Sequence, residues 1–396
     1  MWHDVGLPAE TVALRSEVRH AVEERVAPYA REIGQTEESV DSFPWKAFRG
    51  LADAGVYALP FDTEFGRGLT YPFLGTCTAT EEIAYHSSSM AGVYDGQCIL
   101  VPKALSFAEA DLRARLIPGL ISGEMVFAFA TTEPDASSDL SVDAMKTTAE
   151  ETSDGFVVNG RKRWITNSPV ADWVTMLCRT GRGMTMLAID LKNSAGIRIG
   201  TPDLKMGHRG QLTADIVLDN VKVPASNVLG QVGNGLSVAL STLTYGRIGI
   251  AAAGVGVAQA ALDLAVERLR TRTLFGKPLG AMQHWQYRLA ERAIELECAR
   301  TLYQKAALRI DSGETIAEPE AAMAKFFATR LAADLARDAI QVHGGYGFAR
   351  QVSETGETFR LEELYRDAKI LEIFEGANEV LQWVIARQLI GRDITG

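Results

Sequence analysis

Cysteine is scarce in this chain: Cys77, Cys98, Cys178 and Cys298 are scattered among 396 residues without a C-x-x-C pair. That usage excludes a disulfide scaffold. With six histidines and none clustered, no zinc-ligand set is expected either, and a reducing, cytoplasmic setting fits. Long hydrophobic runs are missing. The apolar, uncharged stretch 248–262 includes Gln259 and falls short of the ~20 residues that span a bilayer. The opening Met1-Trp2-His3-Asp4 has an early acid and no apolar run, so no secretory signal is expected. Basic charge is not in excess: 40 Lys and Arg against 50 Asp and Glu give −10, which argues against nucleic acid or an anionic membrane as partner. G-x-S-x-G, H-E-x-x-H and the P-loop pattern are absent, which disfavours the corresponding hydrolase, metalloprotease and kinase chemistries.

What is present is ordinary in bulk and informative in order. Apolar residues at 47% and charged residues at 23% suit a globular chain with ample core. The hydrophobic period then changes twice. Up to about residue 120 it is helical, with Val12, Leu14, Val18, Ala21 and Val22 spaced two to four apart, a glycine-containing loop at 64–69, and helical patterning again over 78–84. Between 121 and 229 the period is two. Residues 184–191 and 214–223 read as strands, and 156–166 as a hairpin, because Asn159-Gly160 readily supplies the positive φ angles of a two-residue turn. Short strands in a block make a small β-barrel or sandwich. From 230 onward small residues over 250–269 let helices approach closely, and helices over 291–310 and 317–342 complete a four-helix bundle. The predicted fold is mainly α with a β middle domain: a helical N-terminal domain (1–120), the β domain (121–229) and the bundle (230–396).

A few stretches carry chemical signals. Gly254-x-Gly256 looks like part of a dinucleotide loop, but it follows no strand and lacks the third glycine. The segment 129–139 is dense in hydroxyls around Pro134, a composition that local Ser and Asp turns also produce. Trp164 and Thr166 put an aromatic plane and a hydroxyl on one strand face, a pairing that suits a flat heteroaromatic cofactor; ordinary core packing competes. In the tail, Ile373-Phe374-Glu375-Gly376-Ala377-Asn378-Glu379 sets a carboxylate beside apolar residues and a glycine. Burial would make it a stronger base for a weakly acidic C–H, whereas a capping carboxylate at a helix start is the plainer alternative.

Further motifs follow in order: Glu64-Phe65-Gly66-Arg67-Gly68-Leu69, Ile117-Pro118-Gly119-Leu120-Ile121-Ser122-Gly123-Glu124, Thr132-Glu133-Pro134, Ser138-Asp139, Trp164-Ile165-Thr166-Asn167, Arg272-Thr273-Leu274-Phe275-Gly276-Lys277-Pro278-Leu279, Gln341-Val342-His343-Gly344-Gly345-Tyr346-Gly347-Phe348 and Tyr365-Arg366-Asp367-Ala368. In that sequence they resemble the acyl-CoA dehydrogenase family over nearly the whole chain. The resemblance implies an FAD enzyme, usually a homotetramer, that dehydrogenates an acyl thioester and passes electrons to an electron-transferring flavoprotein. It implies flavin-facing positions at Phe129, Thr131, Thr132, Ser138, Trp164 and Thr166, the last near N5. Arg272, Phe275 and Gln283 match the motif that holds the diphosphate and adenosine end across a subunit interface, and a guanidinium forks well onto a diphosphate. Gln341, Gly344, Gly345, Ala377 and Glu379 match the remaining cofactor contacts; Ser138, Arg247 and Gly376 match substrate contacts. Glu375 matches the base that removes the α-proton while a hydride leaves Cβ for N5, its own backbone N–H and a ribityl hydroxyl stabilising the enolate-like oxygen. Some relatives carry the base directly before the residue matching Arg247; here that residue is Gly246.

Departures from the family pattern bear on substrate. Thr244 stands where an acid is usual, Ala377 where a threonine is usual, and 351–360 is longer than usual, as a surface loop or as a contact with a neighbouring subunit or carrier protein. Tyr94, Asp95 and Gln97 fall where relatives run near the acyl chain; a polar or short acyl group, or a solvent-facing segment, are the two readings. The thioester is carried by CoA or by an acyl carrier protein. The competing activity is an oxygen-using flavoenzyme, an oxidase or a monooxygenase, against which Glu375 and the short tail both speak. A non-enzymatic bundle scaffold would be colourless as purified.

Overall fold

A computed structural model of the chain describes residues 6–314 and 318–395. The opening Met1-Trp2-His3-Asp4 and Ala317 lie outside the described residues. The helix Ala9–Arg25 turns Leu14, Val18 and Val22 inward at the helical period and packs on Pro72–His86, which is buried along almost its whole length. Charge inside this contact is matched. Glu81 receives Arg15 and Arg300, and Glu82 receives Arg15 and Arg19, so one ionic cluster joins the first helix, the buried helix and the bundle helix Gln283–Asp311.

The middle of the chain is one mixed sheet of eight strands: β1 (Phe127–Ala130), β2 (Thr148–Glu151), β3 (Gly155–Thr166), β4 (Trp173–Thr180), β5 (Gly183–Asp190), β6 (Ile197–Ile199), β7 (Thr213–Pro224) and β8 (Val228–Leu229). Their order is β6-β7-β3-β2-β4-β5-β8, with β1 pairing parallel to β4. The hairpin expected over 156–166 is not formed. β3 is one continuous strand antiparallel to β7, with register shifts between Val158 and Gly160 and between Lys162 and Ile165. Asn159-Gly160 is a bulge because strand β2 passes too close for a side chain: a Cβ on Gly160 (φ +148) would lie 2.6 Å from the Thr147 Cα. At the second bulge Trp164 takes a φ of +61, at the end of the strand that meets the bundle.

The bundle is organised by Gly235–Thr271, a single helix longer than the predicted 250–269. By length and composition it could cross a membrane, yet 83% of its apolar window is buried inside the protein. Against it pack Gln283–Asp311, Glu318–His343 and the shorter Leu361–Leu371, while Asn378–Ile390 packs on Glu318–His343. Gly254 and Gly256 serve that packing: a Cβ on the first would meet the Ala328 backbone at 3.0 Å, and on the second the Glu81 carbonyl oxygen at 2.3 Å. The segment 351–360 is a surface loop. Its end is pinned where Phe359 meets the rings of His343 and Tyr346, and where Arg360 donates to the His86 carbonyl at 2.6 Å.

Candidate active site

Sheet, central helix and tail enclose a cavity of about 1150 Å³. From the sheet side it is lined by Phe129, Thr131, Thr132, Ser138, Trp164 and Thr166. Buried Glu133 fixes the turn after β1, accepting from the backbone N–H groups of Lys146 (2.7 Å) and Thr147 (3.0 Å) and from Lys162 Nζ (2.9 Å). Lys162 also holds the Thr131 carbonyl at 3.1 Å. Trp164 stays 55% exposed in the wall, with the Arg163 guanidinium 3.9 Å over its ring and itself anchored on Asp203 and Asp215. The bulge replaces the simple alternation expected for Trp164 and Thr166, yet both side chains reach the cavity.

Thr166 is held by a chain of groups that the motifs did not reveal. Its Oγ1 accepts from Gln211 Nε2 at 3.2 Å; Gln211 Oε1 faces His208 Nδ1 at 2.7 Å; His208 Nε2 faces Ser88 Oγ at 2.7 Å. With the Gln211 amide assigned this way, His208 carries its proton on Nδ1 and accepts from Ser88. Burial lowers the His208 pKa, which keeps the ring neutral. The Thr166 oxygen is then occupied as an acceptor, leaving its O–H to donate elsewhere. Arg366 and Asp367 explain part of the Tyr-Arg-Asp-Ala motif: Arg366 donates to the Met206 carbonyl and Asp367 accepts from the His208 backbone N–H at 2.7 Å. They tie Leu361–Leu371 to the loop that carries Gln211.

Opposite lies Glu375. It sits at φ +55 before Gly376 at φ +92, and the next helix is capped by Ala377 with no side-chain hydrogen bond, so Glu375 is not a capping carboxylate. Its Oε2 is enclosed without a hydrogen-bond partner, beside the central helix, where a Cβ on residue 246 would stand 2.8 Å away. Gly246 therefore does more than lack a carboxylate of its own: it makes room for this one. Burial pushes the Glu375 carboxyl up to about 7, against the opposing pull of Arg247 and Lys325. Arg247 donates to the Glu375 carbonyl at 3.4 Å and to Glu318 at 2.8 Å; Lys325 Nζ donates to the Gly376 carbonyl at 2.8 Å and to Asn378 at 3.1 Å. Both cations grip the loop by its carbonyls. Among the described residues no acceptor takes the Glu375 N–H, which leaves it available to a ligand oxygen.

Arg247, Gly376 and Ala377 line the same cavity; Arg272, Phe275, Gln283, Gln341, Gly344, Gly345 and Glu379 do not. The latter are exposed, most of all Phe275 at 87%. One chain thus brings the residues predicted to face the ring and to act as base into one cavity and leaves the remaining predicted cofactor contacts on its surface. Gln211, His208, Lys325 and Glu318 went unnoticed in the sequence because single polar residues in apolar or loop segments carry no periodic signal. Tyr94, Asp95 and Gln97 do not face solvent; all three are buried. The wall suits a flat ring system, with an exposed indole, a free hydroxyl proton two residues on, and a carboxylate across the gap.

Family models agree with this geometry along the chain: acyl-CoA dehydrogenase N-terminal domain over 8–124, middle domain over 128–221 and C-terminal domain over 233–390. The 3-(aryl)acrylate reductase of Clostridium sporogenes is 36% identical over 95% of this chain and 97% of its own. A subunit of the caffeyl-CoA reductase-Etf complex of Acetobacterium woodii is 35% identical over 90% of this chain and 93% of its own. Among solved structures, a glutaryl-coenzyme A dehydrogenase in complex with glutaryl-CoA superposes with a TM-score of 0.91 at 32% identity, covering 99% of this chain and 98% of that one.

Proposed function

The chain belongs to the acyl-CoA dehydrogenase family, whose members are FAD-dependent oxidoreductases acting on CH–CH donors, and from this premise we propose that it dehydrogenates an acyl thioester between Cα and Cβ. The observation that carries the reading is the half-buried carboxylate of Glu375, whose Oε2 is enclosed without a hydrogen-bond partner, in the wall of the cavity that Trp164 and Thr166 also line. Bound in that cavity, FAD supplies the acceptor for the hydride from Cβ. Phe129, Thr131, Thr132, Ser138 and Trp164 would hold its ring, and the Thr166 O–H would donate to it. Arg272, Phe275, Gln283, Gln341, Gly344, Gly345 and Glu379 would serve a second copy's cofactor, which makes a homotetramer the assembly of choice.

The protein's own part is proton chemistry. Glu375 takes the α-proton onto its carboxylate. Its backbone N–H stabilises the charge that grows on the thioester oxygen, in a position where low dielectric strengthens the bond. Arg247 and Lys325 keep the loop from swinging away, so the base stays oriented at little entropic cost. Because the base acts unprotonated, kcat/KM for the free enzyme should climb as pH rises through about 7. A profile flat across about pH 6 to 8 would contradict the assignment.

The thioester is short to medium in chain and is borne by CoA or by an acyl carrier protein; an electron-transferring flavoprotein is the electron acceptor, and the cytoplasm the location. The relative named as part of an Etf complex supports that acceptor. Turnover of matched CoA and carrier-bound esters with a dye acceptor tests the reading and separates the two carriers. Peroxide formation without the dye would favour the oxidase alternative instead.

A further inference from the structure

Of the three buried polar residues Tyr94, Asp95 and Gln97, only Asp95 lines the cavity, and only Asp95 is left without a structural task. Tyr94 donates to the Val56 carbonyl at 3.2 Å. Gln97 is used on both ends: its amide donates to the carbonyls of Leu120 (3.2 Å) and Met125 (2.9 Å), and its oxygen accepts from the Phe127 N–H at 3.0 Å. Asp95 is different. It is 3% exposed, lines the active-site cavity, and its Oδ1 has no hydrogen-bond partner. No ion pair or side-chain hydrogen bond holds its carboxylate among the described residues.

Its place is defined by a second glycine on the central helix. A Cβ on residue 249 would stand 2.4 Å from Asp95 Oδ1, as one on residue 246 would stand 2.8 Å from Glu375 Oε2. Residues three apart on a helix are neighbours on one face, with Cβ positions roughly 5–6 Å apart. The two carboxylates therefore occupy consecutive gaps along one stripe of the helix. An acyl chain with Cα at Glu375 and running along that stripe has Cγ and Cδ, or their substituents, within reach of Asp95. Burial first, and the Glu375 charge second, raise the Asp95 pKa well above its ordinary value.

A purely apolar acyl group would seal the Asp95 carboxyl away from water with nothing to bond, and an acidic one would add negative charge beside two carboxyl groups that burial already holds toward their neutral forms. A nitrogen cation relieves both penalties. We propose that Asp95 is a specificity residue and that the preferred acyl group carries a basic nitrogen at about the γ or δ position, bound as an ion pair to the Asp95 carboxylate. This rests on Glu375 being the base of an acyl-thioester dehydrogenase.

Three CoA esters of the same ring size test it on the flavin-loaded full-length protein: cyclohexane-1-carbonyl, piperidine-4-carbonyl and tetrahydropyran-4-carbonyl. The wild type should favour the piperidine ester over the cyclohexane ester by roughly 100-fold in kcat/KM, the scale of one buried charge-assisted bond. Asp95→Asn and Asp95→Leu should abolish that preference, and Asp95→Leu should gain on the cyclohexane ester, while the visible flavin band reports that each variant is folded. If Asp95→Leu loses its flavin, Asp95→Asn decides. An unchanged order of esters in the folded variants would overturn the inference, as would a tetrahydropyran ester that serves as well as the piperidine one. Failure of all three esters to reduce the wild-type flavin, with butanoyl-CoA and a carrier-bound butanoyl ester equally inert, would overturn the dehydrogenase reading itself.

Discussion

Replacing Glu375 with Gln leaves a yellow, flavin-loaded protein whose colour no longer fades when an acyl thioester is added without oxygen. The amide has the shape of the carboxyl, so the loop keeps the grip of Arg247 and Lys325 on its carbonyls and the Glu375 N–H stays available. Only the proton acceptor is lost. A positioned base contributes about 10²–10⁴-fold, and with no substitute at Gly246 the upper end is expected. Asp95 faces Gly249, three residues along the central helix from the Gly246 that faces Glu375. Normal fading in Glu375→Gln would refute the base assignment.

Glu81→Gln should cost stability on a similar scale of surprise, about 3–5 kcal/mol at neutral pH. Glu81 is buried where three parts of the fold meet: Arg15 Nη2 (3.3 Å) and the Tyr303 hydroxyl both donate to its Oε2, and Arg300 Nε donates to its Oε1 at 3.0 Å. Gly256 of the central helix packs on its carbonyl. Burial alone would raise the Glu81 pKa, but Arg15 and Arg300 outweigh it and hold it at about 2, below its ordinary 4.5. A depressed carboxyl stabilises the fold at pH above its unfolded value and loses that contribution as pH falls toward the folded one. The gap between wild type and variant, measured by denaturant midpoints, should therefore be widest at neutral pH and narrow below about 4.5. A gap under about 1 kcal/mol, or one independent of pH, would contradict the cluster's role.

How much of this was legible in the residues depends on the kind of signal. Helices, strands and helices in that order follow from period and small-residue content, and the base, the Trp164–Thr166 wall and the two flanks of the tail loop follow from motifs. Asn159-Gly160 misled because its turn chemistry equally serves a bulge; only the closeness of Thr147, which no local pattern encodes, decides between them. The chain from Ser88 through His208 and Gln211 to Thr166 joins residues up to 123 positions apart that reveal each other only in space. Asp95 was noticed as polar in an apolar neighbourhood, but its distinction from Tyr94 and Gln97 rests on which of them already has a partner.

The central claim is that one enclosed carboxylate and one flavin-facing wall act on adjacent carbons of a thioester. Anaerobic rapid mixing of the flavin-loaded protein with butanoyl-CoA, and with its α,α- and β,β-dideuterated forms, tests this directly. The unlabelled ester should bleach the flavin, and deuterium at either carbon should slow the bleaching. A flavin that stays yellow with the ester yet fades with a chemical reductant would contradict it.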